Sequence, residues 1–185
     1  MKLRKIQKIL REKANKKTKQ NIEKFVPSAT KIYGVKNSLL NEIIKKIKEL
    51  NFELIKKLWE SGYLEERILA AKILGKFGRK EPEKSLQLIK KWSGSISNWA
   101  VCDILATQGI RGIVKIKMEE VFKLSEKLIK SKNFWKRRFA IVLLIELNRN
   151  KFSKTRIRKL LKEIKEDKEY YVKKAIDWLK NELNK

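Results

Sequence analysis

Aromatic residues fall into a long register along this chain. Tyr63, Trp99, Phe134 and Tyr170 are separated by 36, 35 and 36 residues. Four residues after each come Arg67, Asp103, Arg138 and Lys174, and two further on Leu69, Leu105, Ala140 and Ile176. Residues four apart share one face of a helix. A period near 36 that keeps an aromatic, a polar and an apolar residue in fixed phase therefore predicts a solenoid of helix pairs. In such an array equivalent helices line one concave surface. Arg67, Asp103, Arg138 and Lys174 are expected to point into a common groove.

The local pattern agrees with an all-α chain. Apolar residues recur at helical spacing almost throughout, and two prolines and seven glycines in 185 residues leave room for long helices and short turns. The spacing predicts helices over 2–14, 16–25, 38–50, 51–61, 64–78, 82–92, 97–108, 117–131, 134–149, 153–166 and 168–183. Ser97 and Ser153 are the expected N-caps at two starts, and Gly62, Gly78 and Gly109 mark ends. Residues 1–185 read as one domain, with a basic helical segment at 1–24 and the repeat array over 25–185.

Charge narrows the partners. There are 48 Lys and Arg against 21 Asp and Glu, a net charge of +27. Residues 1–48 carry 15 basic and 3 acidic side chains, residues 49–112 carry 11 and 8, and residues 113–185 carry 22 and 10. Two basic lobes around a near-neutral centre suit a groove that grips phosphates on both sides of a quieter site. Drift in a lysine-rich composition, with 38 lysines and 10 arginines, is the bland alternative. Histidine is absent and Cys102 is the one cysteine. An intramolecular disulfide, a His/Cys zinc cluster, Cys–His catalysis and a Ser–His–Asp triad are thereby excluded. No metal and no cofactor is expected. A single cysteine suits a reducing interior, the first 24 residues lack the apolar core of a signal peptide, and the apolar run Phe139–Ile145 is too short to span a bilayer. The expected setting is cytoplasmic, away from membranes.

One window breaks the charge pattern. From Ser93 to Ile110 there are 18 residues without a lysine or arginine, and the only charge is Asp103. A carboxylate there is either caged by an ion pair with Arg67 or Arg138 of a neighbouring repeat, or used chemically. Trp99, one turn earlier, packs between repeats or offers a stacking face to nucleic acid. Trp178 stands where the equivalent positions hold Ala71, Thr107 and Val142, which suggests a surface wedge or a cover for the terminal helix. Arg137 and Arg138 point about 100° apart on a helix, so one at most shares the face of Asp103.

With these residues in place, the chain resembles the AlkD-type DNA alkylation repair family, the HEAT-like-repeat alkylpurine DNA glycosylases. The resemblance spans about residues 25–183. It rests on Tyr33-Gly34-Val35, Leu58-Trp59-Glu60-Ser61 with Glu65-Glu66-Arg67, and Asn98-Trp99 with Asp103. Phe134-Trp135 with Arg137-Arg138 and Ala140-Ile141 continues it, and Glu169-Tyr170-Tyr171 with Lys174-Ala175-Ile176-Asp177-Trp178 closes it. The resemblance implies a right-handed solenoid of HEAT-like antiparallel helix pairs with a concave basic groove. It implies release of N3- and N7-alkylated purines from duplex DNA by a monomer. It matches Asp103 to the catalytic carboxylate, Trp99 and Trp178 to the tryptophans flanking the lesion, and Arg138 to a backbone-binding arginine. Lys174, Arg67 and Arg137 are further candidates for holding phosphates. The rival readings are a non-catalytic nucleic-acid-binding scaffold, a scaffold for an acidic protein, and a lysine-based lyase.

Overall fold

A computed structural model describes all residues except 27, 30, 50 and 165. Among the described residues the chain is helical and has no strand. Its helices are α1 (Leu3–Glu12), α2 (Lys16–Phe25), α3 (Asn37–Lys45), α4 (Phe52–Glu60), α5 (Leu64–Phe77), α6 (Pro82–Trp92), α7 (Trp99–Ile104), α8 (Met118–Ile129), α9 (Phe134–Arg149), α10 (Lys154–Lys162) and α11 (Tyr170–Leu183). The expectations at 50 and 165, inside two predicted helices, lie outside the described residues.

The aromatic register marks helix starts. Tyr63 is the N-cap of α5, and Trp99, Phe134 and Tyr170 are the first residues of α7, α9 and α11. These helices run side by side in one direction. Lys72 of α5 reaches back to Asn37 and Asn41 of α3 at 2.7 Å each. Arg138 near the start of α9 bonds the Tyr171 carbonyl at the start of α11, and Arg149 at the end of α9 bonds Glu182 at the end of α11. Matched starts and matched ends make α9 and α11 parallel. The intervening helices return the chain: α4 packs on α5, and α8 and α10 pack on α9.

Burial follows from that layering. α5 and α9 have neighbours on nearly every side, and Phe139 to Ile145 are all 0% exposed. A helix apolar all round is a core helix, so the run that is too short for a bilayer is the centre of this protein. No helix among the described residues is long and apolar enough to cross a membrane.

Several boundaries differ from the sequence expectation. The cap of α7 is Asn98, not Ser97: the Asn98 side chain accepts the Val101 N–H at 2.9 Å from an extended backbone. Ser153 does cap α10, accepting from the Arg156 N–H. The helix expected over 38–50 stops at Lys45, and Ile47 beyond it is buried at 2% exposure. Gly62, at φ +77°, ends α4 as expected. Gly78 caps α5 and opens a single 3-10 turn. Gly109 closes a π-helical turn, Leu105–Gly109, that extends α7.

That π turn lies against α5 at a backbone contact. A Cβ placed on Gly75 would overlap the Gln108 carbonyl, and Gly109 Cα is 3.5 Å from the same point. Gly75→Ala must separate the two helices or distort the π turn. Thermal unfolding should show a loss of about 1–3 kcal/mol, where the same change on an exposed helix face raises stability.

The far end of the row is closed by Glu182, which accepts both Arg149 (3.0 and 3.1 Å) and Lys185 (2.9 Å). Those bonds, Arg149 first, hold its carboxyl down to about 2, below the ordinary 4.5. A lowered carboxylate pKa adds stability that is complete above 4.5 and disappears as pH falls toward 2. The stability gap between wild type and Glu182→Gln should therefore be flat above about pH 5 and close on acidification. Denaturant titrations at stepped pH measure it.

Candidate active site

Asp103 is the fifth residue of α7, one turn after the Asn98 cap has set that helix's direction. Its two carboxylate oxygens accept Arg138 Nε at 2.9 Å and Nη2 at 2.7 Å, the two-pronged geometry in which a guanidinium matches a carboxylate. Arg138 is anchored in turn by donating Nη1–H to the Tyr171 carbonyl. Three consecutive helices of the row, α7, α9 and α11, thus meet at one guanidinium. Arg138 is buried at 6% exposure, while the Asp103 side chain retains 19%. Burial pushes the Asp103 carboxyl above the ordinary carboxylate range, and the Arg138 bonds and charge oppose it. Each oxygen uses one lone pair on Arg138, which leaves the other free for a water or an electron-poor centre.

Trp99 opens the same helix and is half-buried. Its indole N–H donates to the Phe25 carbonyl at 2.8 Å, tying α7 to the end of α2. Phe25 is itself 67% exposed beside it. On the flank of α7, Ala100 and Ile104 join Ile22, Leu40 and Ile68 around an apolar hollow of about 400 Å³. Thr107, in the π turn, donates its hydroxyl to the Asp103 carbonyl at 2.7 Å. Cys102 is fully buried with its sulfur near the Trp135 carbonyl, and burial raises its thiol well above the usual range. That is a packing cysteine, without the thiolate a nucleophile needs. Among the described residues no group of three His, Cys, Asp or Glu is placed to hold a metal.

The other register residues do not gather around Asp103 as a row of free cations. Arg67 donates to the Trp59 and Ser95 carbonyls at 3.2 and 3.4 Å and lies over the Trp59 ring. It lines a small polar hollow with Lys31, Ser97 and Asn98. Arg137 grips both oxygens of Asp167 and the carbonyls of Ser131 and Lys132, so four of its five N–H groups are engaged. Lys174 is exposed, its ammonium 5.7 Å from the Tyr170 ring. Trp178 is half-buried under the Arg149 guanidinium. It stands seven residues beyond Tyr171, about 10 Å along α11. The structure brings together Trp99, Asp103 and Arg138. It does not bring Arg67, Arg137, Lys174 and Trp178 to that centre, and all of these but Lys174 are engaged by other partners.

Sequence reasoning missed Phe25, Asp167 and the Tyr171 carbonyl. Phe25 and Tyr171 act through backbone oxygens, and no side-chain pattern announces those. Asp167 could have been sought as the acid nearest in sequence to the repeat opposite Arg137, but nothing in its spacing singles it out.

A family model described as DNA alkylation repair enzyme matches residues 6–185. Comparison with curated proteins gives no match. The matched span takes in the row of parallel helices, Trp99, Asp103 and the arginine that holds it. The chain belongs to the DNA alkylation repair enzyme family.

Proposed function

We propose that this protein is a monofunctional DNA glycosylase that hydrolyses the N-glycosidic bond of cationic N3- and N7-alkylpurines in duplex DNA. In this reading the helix pairs form a right-handed HEAT-like solenoid and its concave basic face takes the duplex. The protein works as a cytoplasmic monomer, nucleoid-associated when bound. The observation that carries the proposal is Asp103 itself: a partly exposed carboxylate, fixed in orientation by Arg138, one helical turn from Trp99, in a chain of net charge +27.

The chemistry needs little more. An N3- or N7-alkylpurine is already a cation and departs as a neutral base, so the leaving group needs no proton. Glycoside hydrolysis in general needs a second carboxyl for that step. What remains is to stabilise an oxocarbenium-like sugar and to place a water against it. The free lone pairs of Asp103 serve both, and their electrostatic effect is larger in a site partly closed to solvent. Arg138 is a positioning residue in this scheme, since it holds the carboxylate before the substrate arrives. Its two remaining N–H groups can meet a phosphate, as can Lys174, the three free N–H groups of Arg67 and the one of Arg137. The faces of Trp99 and Trp178 suit a positively charged base or the sugar beside it.

Asp103→Asn tests the assignment. The asparagine keeps one oxygen to accept Arg138 but removes its counter-charge, so the melting temperature should fall, and a circular-dichroism melt fixes the temperature at which both proteins are folded for the assay. Release of free base from DNA carrying 7-methylguanine should fall by about 100-fold or more, with duplex binding retained. Base release by Asp103→Asn at the wild-type rate would assign Asp103 to the ion pair alone, whereas no base release by the wild type itself would leave the protein a non-catalytic DNA-binding scaffold.

A further inference from the structure

The cations expected to grip phosphates are largely engaged inside the protein. Arg67, Arg137 and Arg138 all donate to internal acceptors. Elsewhere on the surface many lysines are paired, as Lys57 is with Glu53, Lys84 with Glu81, and Lys117 with Glu83 and Glu120. Five lysines without such partners gather in one place. Lys90, Lys91, Lys123, Lys127 and Lys136 line a single cleft of about 540 Å³, and none makes an ion pair with a described residue. Its one acid, Glu120, is paired with Lys117.

Helix ends explain part of this cluster. Lys90 and Lys91 close α6 and Lys127 lies in the last turn of α8, where the negative end of a helix favours a cation. Lys123 lies in the middle of α8, outside that effect. Lys136 is in the first turn of α9, where the positive helix end disfavours a cation. Five ammonium groups around one concavity repel one another and focus a positive potential into it. The floor is apolar, from Leu124 and Leu128, and the mouth is open: a Cβ on Gly94 would meet nothing within 4 Å.

The position of the cleft relates it to Asp103. Ser93 and Gly94, on its rim, belong to the same turn whose far end is Asn98, the cap of the helix carrying Trp99 and Asp103. Lys136 is two residues before Arg138. Five residues of chain from Gly94 to Trp99 span at most about 17 Å, which is about five steps of a strand at 3.4 Å each.

We propose that this five-lysine cleft is a second phosphate-holding site, which takes the DNA backbone within about five nucleotides of the damaged base as the strand passes round the edge formed by residues 93–98 and 130–133. The inference rests on the DNA reading of Asp103, but its test does not require base release. The probe is an undamaged duplex of about 30 base pairs, and the measurement is the slope of log binding constant against log salt concentration, which changes by about 0.9 for each phosphate contact. The triple variant Lys123→Gln, Lys127→Gln, Lys136→Gln removes three cleft charges from mostly exposed positions. Its slope should be shallower than wild type by about 2–3. A control, Lys48→Gln, Lys80→Gln, Lys115→Gln, removes the same net charge from exposed positions that follow the C-terminal ends of α3, α5 and α7, and its slope should change by less than about 1. Equal losses in both triples would reduce the cleft to bulk charge and overturn the proposal. A cleft variant that binds DNA like wild type would also overturn it and turn attention to an acidic protein as the occupant. Absence of base release by wild type, with the slopes as expected, would sink the glycosylase reading and leave the cleft standing.

Discussion

The Asp103–Arg138 pair is the constraint around which the central part of the molecule is arranged. A guanidinium that is almost fully buried must have acceptors for its N–H groups, and here they come from two different helices: the carboxylate of α7 and a backbone carbonyl of α11. The pair therefore fixes the register of three parallel helices against one another. Desolvating both ions offsets much of their attraction, so the pair is a poor source of net stability. Its value lies in geometry. A hydrophobic replacement of similar volume could pack as well but would lack the directional bonds that orient α7 against α9. Losing one partner alone is far more costly, since the other is then buried without a counter-charge.

This arrangement reconciles two roles that compete when Asp103 is considered in isolation. A caged carboxylate and a chemically available one are alternatives only if caging uses all of its lone pairs. A two-pronged guanidinium uses one on each oxygen and approaches from one side. The other side retains access to solvent. The same bonds that orient the carboxylate also moderate the upward pull of burial on its pKa. A reaction whose leaving group is already cationic asks for one oriented anion, and the site supplies one.

Much of the framework was legible because it is periodic. The aromatic register finds the starts of α5, α7, α9 and α11, and the residue four places on finds both Asp103 and its partner Arg138, from adjacent repeats. Local capping was less legible: Ser97 and Asn98 are adjacent and both suit an N-cap, and only the burial and extended backbone of Asn98 decide between them. The fate of Arg67 and Arg137 was not legible at all. Their targets are the Asp167 carboxylate and carbonyls at Trp59, Ser95, Ser131 and Lys132, and where the fold places those oxygens in space is not written in the local sequence. Phe25 and Trp99 lie 74 residues apart and meet through one backbone oxygen. The lysine cleft is assembled from α6, α8 and α9, so no window of sequence shows it as a cluster.

The division of labour between arginine and lysine gives that cleft its place in the molecule. Arg67, Arg137, Arg138, Arg149, Arg156 and Arg158, six of the ten arginines, donate side-chain bonds to protein acceptors. Their planar forks make durable joints between repeats, to carboxylates at Asp103, Asp167 and Glu182 and to carbonyls elsewhere. Lysine, a compact and well-hydrated charge on a flexible stem, is poorly suited to such joints and well suited to a phosphate backbone whose contacts must form and break as a protein searches DNA. Arginines engaged in holding helices together have only their leftover N–H groups for a polyanion, so more of that grip falls to lysines. Lys136 stands against the local helix field and Lys123 outside it, both unpaired and close together, so helix-end electrostatics does not account for them and the proposed phosphate contact would.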